Sequence, residues 1–301
     1  MDYPAKIILF GEYGIILNSK ALAIPYPHFS GRLCFSDNLK DKLSKMDVES
    51  NMALKRIYSY FKETTDQFQF LNLKDFEEDI INGLYFDSSI PSGSGLGSSG
   101  ALTAAIYNRY ANNKDQDDHQ MVKNNLATME SCFHGVSSGI DPFISWLRKP
   151  LLLENKNSIN SSVDLSPFLS TYTLFLINTH SKGNTGILVN RFLEHYEMTD
   201  FKEKIDKEYI PVINQTIDAL VAADFDKFDK FLRQYSQFQI LHLKEMIPLK
   251  MTEYFNHGIE SKDFYLKICG SGGGGFILGI SRNRKNAESF FNLNHLDYCV
   301  V

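Results

Sequence analysis

Residues 88–101 read Ser-Ser-Ile-Pro-Ser-Gly-Ser-Gly-Leu-Gly-Ser-Ser-Gly-Ala, and this glycine-rich stretch is the most informative one in the chain. Glycines alternate with other residues at positions 93, 95 and 97, and an apolar, alanine-rich run begins at Ala101. Glycine lets the backbone turn tightly and approach a ligand closely. A helix that begins near residues 97–98 would direct its unpaired N–H groups and its positive dipole end at this loop. The stretch therefore predicts a phosphate-binding loop followed by a helix.

The composition limits the function classes that fit the chain. Its 301 residues are 43% hydrophobic, so the chain can bury a substantial core in one large or two ordinary domains. The formal net charge of -5 and the pI near 5.9 give no general attraction to nucleic acid or to an anionic membrane. We therefore expect neither as a partner, and an anion site has to be built locally from backbone amides or a few basic side chains.

Cysteine usage and the absence of targeting signals favour a cytoplasmic protein. The four cysteines lack CxxC spacing, which is typical of free thiols in a reducing compartment. No apolar run approaches the roughly 20 residues that span a bilayer. The first residues, Met-Asp-Tyr-Pro-Ala-Lys, do not follow the basic-then-apolar pattern of a signal peptide.

Hydrophobic periodicity predicts a mixture of strands and helices that does not alternate strictly, so we expect the α+β class. Strands are predicted at 6–10, 15–17, 22–24, 84–90, 171–178, 264–269 and 276–280. Helices are predicted within 39–62, at 98–110, 119–133, 185–196, 201–221 and 225–242, and before the carboxyl terminus. Residues 142–147 read as an extended apolar run, and 154–166 as a surface loop near a domain boundary.

Two familiar motifs match formally but lack their structural context. Residues 95–100 satisfy G-x-G-x-x-G, yet the following polar stretch does not supply the second strand and acidic residue of a dinucleotide-binding fold. Residues 135–139 satisfy G-x-S-x-G, yet a helical pattern precedes the serine where a nucleophile elbow requires a strand. The Walker A sequence and the protein-kinase motifs are absent.

The strongest signal is the combination of three glycine-bearing segments, at 11–14, 93–100 and 270–275, that each follow a predicted strand. Single glycine loops are commonly just turns, but three are harder to explain in that way. Three charged residues also stand in apolar or small-residue settings, where a charge usually has a partner or a function: Lys6, Glu130 and Asp141.

These segments resemble the motifs of the GHMP kinase superfamily, and they are most similar to its mevalonate kinase branch. Residues 4–16 are similar to the first motif, 90–99 to the phosphate loop and 267–275 to the third motif. Residues 130–141 and 178–185 resemble stretches typical of the mevalonate kinases. The resemblance implies a two-domain fold. An N-terminal domain like domain 2 of ribosomal protein S5 would take in residues 1–160, and a ferredoxin-like C-terminal domain residues 161–301.

The resemblance also implies roles for individual residues in phosphoryl transfer from ATP to a small-molecule alcohol, mevalonate. Asp141 would act as the base with Lys6 beside it, and Ser99 and Glu130 would bind Mg²⁺. Candidates for ATP binding are Pro91, Gly93, Ser94, Gly95, Leu96, Gly97, Ser98 and Ser99. Candidates for the substrate pocket are Glu12, Tyr13, Thr185 and Gly272. Homodimers are common among such kinases, although the sequence carries no interface signal.

The sequence departs from the motifs at three positions, and the first of these departures leaves the acceptor open. Mevalonate kinases commonly have Gly-Glu-His in the first motif, whereas this chain has Gly-Glu-Tyr at 11–13, as phosphomevalonate kinases often do. Serines also replace two usual prolines, at Ser92 and Ser137. A phosphomevalonate kinase would need basic residues near the acceptor phosphate, for which only Arg148 and Lys182 stand near motif segments. Homoserine kinase and galactokinase match less well, and a non-catalytic nucleotide sensor is the alternative from another class.

Overall fold

The computed structural model describes residues 1–35, 45–112, 118–135, 137–155, 158–181, 183 and 185–301. The chain divides into two compact units, each made of several separate stretches. Unit 1 contains Met1–Lys6, Pro25–Pro91 and Gly97–Lys149. Unit 2 contains Ile7–Ile24, Ser92–Leu96 and Pro150–Val301. The units thus interleave along the sequence, and the domains expected at 1–160 and 161–301 stay a prediction.

The strands and helices of the described residues confirm the predicted α+β class. The strands are β1 (Tyr3–Phe10), β2 (Ala21–Phe35), β3 (Leu84–Ser88), β4 (Leu151–Asn155), β5 (Ser158–Asn160), β6 (Thr173–Asn178), β7 (Tyr265–Ile268), β8 (Phe276–Ser281) and β9 (Tyr298–Val300). The helices are α1 (Lys45–Glu63), α2 (Leu73–Ile81), α3 (Ser98–Tyr110), α4 (His119–His134), α5 (Ile140–Leu147), α6 (Ser166–Thr171), α7 (Thr185–Tyr196), α8 (Thr199–Lys204), α9 (Ile210–Val221), α10 (Phe225–His242), α11 (Thr252–Ser261) and α12 (Arg284–Leu293).

In unit 1, helices α1 to α5 share a core with β3, which runs antiparallel to the 31–35 part of β2. Aromatic rings hold this core together, with Phe61 and Phe68 centroids 4.3 Å apart and Phe76 and Tyr110 centroids 4.7 Å apart. Helix α3 packs closely against α5. A Cβ on Gly100 would lie only 2.8 Å from the backbone carbonyl carbon of Asp141, so the glycine allows the two helices to come this close.

In unit 2, an antiparallel sheet in the order β7-β8-β6-β9 packs with helices that include α10 and α11. The 21–23 part of β2 pairs with β4, which pairs in turn with β5. The strand order of that sheet is β1-β2-β4-β5, and β3 also pairs with β2. Edge-to-face contacts join Phe10 to Phe228 and to Tyr235. The third glycine segment, 270–275, follows strand β7, and the four residues of that strand are all buried.

Two predicted strand segments are helical in the structure. Residues 15–17, predicted as a strand, lie in the 3₁₀ turn Gly14–Leu17, which stands between positive-φ residues Tyr13 and Asn18. The apolar run 142–147, predicted as extended, lies in α5. Gly139 starts that helix in a left-handed conformation, and a proline in the first turn costs no intrahelical hydrogen bond. A continuous apolar run does not distinguish a buried helix from a buried strand.

Other boundaries differ in detail. The predicted loop 154–166 contains β5, and the predicted helix 201–221 is divided into α8, a π-helical turn at Ile205–Tyr209, and α9. Pro211 has no N–H to donate to the carbonyl four residues earlier, which accounts for a widened turn before it. The part of the predicted helix 39–62 before residue 45 lies outside the described residues. None of the described helices combines the length and apolar character needed to cross a membrane.

Candidate functional site

The predicted phosphate loop leads directly into α3, whose predicted bounds agree with the structure. Gly97 is the N-terminal cap of this helix and has a φ of 78°, a left-handed conformation that side chains disfavour. Ser98 and Ser99 form the first turn, where backbone N–H groups have no partner within the helix. The helix N-terminus therefore presents amides and a positive dipole end to the loop, as an anion site requires.

Lys6 and Asp141 form an ion pair in unit 1, with Lys6 Nζ 3.1 Å from Asp141 Oδ2. The Lys6 side chain is 3% exposed and that of Asp141 is 30% exposed, so the carboxylate is the accessible member of the pair. Asp141 lies in the first turn of α5, and Ser145 one turn later donates a hydrogen bond of 2.8 Å to the carbonyl of Pro4 on β1. That bond fixes α5 beside the strand that carries Lys6.

Gly97, the residue of the loop that precedes α3 in unit 1, lies against this ion pair. A Cβ on Gly97 would be 3.0 Å from Lys6 Cγ and 3.5 Å from Asp141 Oδ2. Only a glycine allows the backbone to come this close without displacing a neighbour. The structure thus brings three sequence-predicted residues together within unit 1: Lys6, Gly97 and Asp141.

Glu130, on α4, is the second buried acid of unit 1. Its Oε1 accepts a hydrogen bond of 3.1 Å from Ser99 Oγ, and its Oε2 accepts one of 2.5 Å from Ser137 Oγ. Burial raises the pKa of Glu130 to about 7, and the negative charge of Asp141 adds to the increase. The two serine hydroxyls and the Lys6 ammonium oppose that shift.

The donor set around Glu130 fits a magnesium ion. The serine hydroxyl and the carboxylate supply hard oxygen ligands, and Mg²⁺ commonly keeps several waters while using one or two carboxylates. No group of three or more His, Cys, Asp or Glu side chains suited to a metal is found in the part of the chain that the structure describes. A site with few protein ligands agrees better with Mg²⁺ than with a structural zinc ion.

The earlier half of the loop, 92–96, belongs to unit 2. Gly93 has a φ of 71°, and among the described residues no atom lies within 4 Å of where its Cβ would be. Ser94 is buried, and Gly95 lies so close to β7 that its Cβ would be 3.0 Å from the carbonyl oxygen of Cys269. Leu96 is fully buried and anchors the loop. Pro91, by contrast, is partly exposed at the end of the preceding stretch of unit 1.

Glu12 lies at the centre of a buried polar cluster in unit 2. Its Oε1 forms an ion pair with Lys267 Nζ, and its Oε2 accepts a hydrogen bond of 2.9 Å from Tyr235. The side chains of Glu12 and Lys267 are almost fully buried. Gln239 joins the cluster by donating to Tyr209, whose hydroxyl lies 3.3 Å from that of Tyr235. Breaking such a pair by removing one partner strands a buried charge.

Two of the remaining pocket candidates, Tyr13 and Gly272, contact or belong to the third glycine segment of unit 2. Tyr13 is buried and donates a hydrogen bond of 2.6 Å to the carbonyl of Ser271. Gly272 has a φ of 70°, and its Cβ would be 2.2 Å from the carbonyl oxygen of Met246. Thr185 is the first residue of α7. The roles expected of these residues toward a substrate stay predictions.

Several residues of these clusters are absent from the sequence candidates, among them Ser137 and Lys267. Ser137 stands where the motif usually has a proline; its hydroxyl donates a hydrogen bond to Glu130 and accepts one of 3.0 Å from the amide of Gly139. Lys267 is the first residue of the third motif, and it forms an ion pair with Glu12. A lysine in the middle of an apolar strand was the signal that could have identified it, because buried lysines are nearly always paired.

The chain is similar in sequence to known kinases. Residues 53–149 match the family model described as the GHMP kinases N terminal domain. The mevalonate kinase of Archaeoglobus fulgidus is 24% identical over 301 residues, which cover 95% of this chain and 94% of that protein.

Solved structures of low sequence identity share the fold. A crystal structure of the L. major mevalonate kinase in complex with R-mevalonate superposes with a TM-score of 0.67 at 14% identity, covering 97% of this chain and 89% of that one. The Streptococcus pneumoniae phosphomevalonate kinase, in complex with phosphomevalonate and AMPPNP, gives 0.63 at 14% identity, covering 100% and 99%.

One part of the chain, residues 53–149, therefore matches the N-terminal domain of the GHMP kinases, and the fold of the chain is shared with solved mevalonate and phosphomevalonate kinases. Within that class, the relatives named above are mevalonate kinases and a phosphomevalonate kinase.

Proposed function

We propose that the protein is an ATP-dependent mevalonate kinase, which transfers the γ-phosphoryl group of ATP to the primary hydroxyl of mevalonate and forms 5-phosphomevalonate for isoprenoid synthesis. The observation that carries the proposal is the Lys6–Asp141 ion pair at 3.1 Å, with the backbone of Gly97 against both side chains. A base and a cation thus lie beside the loop expected to hold phosphate. The similarity to named mevalonate kinases over nearly the whole chain supports the choice of acceptor.

The loop and the first turn of α3 bind the triphosphate in this proposal. The amides of residues 94–99 and the helix dipole supply positive potential without a net positive protein charge. Phosphoryl transfer requires mostly positioning and charge stabilisation, since little covalent chemistry falls to the protein. The space next to Gly93 leaves room for a phosphate group among the described residues.

Asp141 accepts the proton of the acceptor hydroxyl as its oxygen attacks the γ-phosphorus. The bond between that phosphorus and the β–γ bridging oxygen breaks, and ADP leaves with the electron pair. Lys6, beside the carboxylate, stabilises the negative charge that develops on the attacking oxygen. Because Lys6 is buried, its ammonium is held in place and little reorganisation is needed during the reaction.

Ser99 and Glu130 would hold Mg²⁺, whose charge would offset that of the phosphate oxygens. Ser137 orients Glu130 through its second carboxylate oxygen, so the other oxygen stays directed toward Ser99. Groups that hydrogen-bond a metal ligand in this way commonly tune metal affinity.

The decisive experiment measures ADP release from ATP and Mg²⁺ with four acceptors in parallel: mevalonate, phosphomevalonate, homoserine and galactose. The proposal requires mevalonate to give the highest kcat/KM. ADP release with phosphomevalonate alone would show that the protein is a kinase with phosphomevalonate, not mevalonate, as its acceptor. Release with none of the four, together with ATP binding, would favour the nucleotide sensor.

Phosphomevalonate kinase is the second candidate, favoured by Tyr13 in the first motif and by the phosphomevalonate kinase fold match. Two observations weigh against it. A phosphate acceptor is already ionised and does not need the base that Asp141 provides. Arg148 ends α5, about 10 Å along the helix axis from Asp141, and its guanidinium stacks on Tyr3 with a separation of 5.2 Å. Lys182 lies outside the described residues.

A further inference from the structure

Tyr13 connects the first motif to the third glycine segment of unit 2. Its hydroxyl donates a hydrogen bond of 2.6 Å to the backbone carbonyl of Ser271, and its ring packs on Phe192 with centroids 4.5 Å apart. Tyr13 is 4% exposed and has a φ of 63°. Burial, followed by the nearby Tyr209 and Glu12, raises the pKa of Tyr13 above its usual range, so the hydroxyl stays neutral and able to donate.

The segment that Tyr13 holds, residues 270–275, is in turn packed against the phosphate loop. A Cβ on Gly275 would lie 2.5 Å from the carbonyl oxygen of Ser94, and one on Gly270 would lie 3.2 Å from that of Gly95. These are backbone-to-backbone approaches, which leave little freedom for one segment to shift without the other. The position of Ser94 and Gly95 therefore depends on the position of residues 270–275.

The buried cluster around Glu12 fixes both ends of this connection. Glu12 directly precedes Tyr13, and its partner Lys267 lies on β7, which leads into residues 270–275. The amide of Ile268 also donates a hydrogen bond of 2.9 Å to Gln239. Both Glu12 carboxylate oxygens are thus engaged inside unit 2, and the residue supports the backbone on which Tyr13 stands.

We propose that Tyr13 is a positioning residue for the nucleotide rather than a group that touches the acceptor: its hydroxyl holds the Ser271 carbonyl, and the segment so held keeps Ser94 and Gly95 in place for the ATP phosphates. The inference rests on the proposed function, because it takes the phosphate loop to be the ATP site. It also gives the tyrosine of the Gly-Glu-Tyr sequence a role that is independent of which alcohol is phosphorylated.

The test compares ATP binding by the wild-type protein and by Tyr13→Phe, without acceptor, using calorimetry. Phenylalanine keeps the ring packing on Phe192 and removes only the hydrogen bond to Ser271. We expect the Kd for ATP to rise about threefold to tenfold, the loss that one hydrogen bond commonly causes. The KM for the acceptor should change by less than about twofold, since no contact with it is altered.

Tyr172→Phe is the matched control. Tyr172 is equally buried in unit 2 and donates a hydrogen bond of 2.6 Å to Asp229. That partner lies outside both glycine segments, 92–96 and 270–275. This variant should bind ATP as the wild type does. Hydrogen exchange adds a readout that needs no ligand: peptides covering 92–96 and 270–275 should exchange faster in Tyr13→Phe and not in Tyr172→Phe.

Three results would overturn the inference: an unchanged Kd for ATP in Tyr13→Phe, unchanged exchange in the two glycine segments, or a rise confined to the KM of the acceptor. The last would make Tyr13 an acceptor-binding residue. Failure of the wild-type protein to bind ATP is a different outcome, because it removes the proposed function itself.

Discussion

Asp141 lies 3.1 Å from a nearly buried ammonium and keeps about a third of its side chain exposed. Replacing it with asparagine preserves the shape and removes the proton acceptor. Turnover should fall about 10²–10⁴-fold, the usual contribution of a general base. The Kd for ATP should change little. Steady-state kinetics and calorimetry measure the two quantities.

Asp87→Asn is the control for this variant, since Asp87 belongs to unit 1 but forms an exposed ion pair with Arg32. Such surface pairs contribute little, so its turnover should match the wild type. If Asp141→Asn also kept full turnover, Asp141 would not be the base.

Glu130 offers a separate test at the same scale. Glu130→Gln removes the carboxylate charge and keeps the size of a side chain that is 4% exposed. The Mg²⁺ concentration for half-maximal activity should rise at least about tenfold, since losing even a hydrogen-bond partner of a metal ligand commonly costs that much. The measurement is a Mg²⁺ titration at saturating ATP.

The matched variant is Glu77→Gln, which alters an exposed glutamate of unit 1 that pairs with Lys62 at 3.5 Å. Its Mg²⁺ titration should overlay that of the wild type. Identical curves for Glu130→Gln and the wild type would assign the metal to other groups.

At the scale of the elements, the loop before α3 contains two glycines that differ in their surroundings. Gly97 and Gly93 have φ values of 78° and 71°, so alanine at either costs about 1–2 kcal/mol of backbone strain. Only at Gly97 does the added Cβ meet Lys6, at 3.0 Å. Gly97→Ala should therefore lower kcat about tenfold or more through displacement of that side chain.

Gly93→Ala should instead raise the KM for ATP and leave kcat nearly unchanged, because its Cβ points into the space proposed for a phosphate. Denaturant melts of both variants give the strain, which should be similar. If the two variants lowered kcat equally, displacement of Lys6 would not explain the loss, and Lys6 would have no role in the chemical step.

Local signals explain which elements could be predicted. The helix at 98–110 was predicted within its observed bounds because glycine precedes it and an alanine-rich run follows. The strand expected at 15–17 was wrong, since three apolar residues form a 3₁₀ turn between two left-handed residues. The extended run at 142–147 was also wrong, because its helical state depends on packing of α5 against α3, which no local pattern reveals.

The candidate site likewise contains features that the sequence predicts and features that only the fold reveals. Lys6 and Asp141 are 135 positions apart in sequence, and only the resemblance to a family predicted that they act together. The structure brings them within 3.1 Å. Lys267 and Glu12, 255 positions apart, could not be paired from the sequence, since either buried charge has several formal partners. Long-range pairing of this kind is a property of the fold, and local propensity carries no record of it.

For the molecule as a whole, the net charge of -5 means that ATP binding depends on local amides and a few cations. Bound ligand stabilises the folded state by mass action, about 2.7 kcal/mol at 100 times the Kd. For chains of 150–250 residues, each kcal/mol raises the Tm by about 2–4 °C. With 301 residues, this chain should respond less per kcal/mol, and Mg²⁺ with ATP should raise its Tm by a few degrees, measurable by scanning calorimetry.

Mevalonate alone is the comparison for this melt, and its shift should be smaller at equal concentration, since the loop amides of residues 94–99 have no role in binding it under the proposal. A Tm that ignores ATP at every concentration would contradict nucleotide binding altogether.

The widened turn at Ile205–Tyr209 restricts the insertion or deletion of residues in this segment of the chain. Successive residues of a regular helix are rotated by about 100°, so deleting one residue before Tyr209 would swing its phenol away from Gln239 and Tyr235. The shortened segment would still be a good helix, and its composition would scarcely differ. Insertions and deletions in this segment are thus constrained, because the extra residue of the widened turn orients the tyrosine hydroxyl. A variant that lacked this residue would need other side chains to fill the interior next to Glu12.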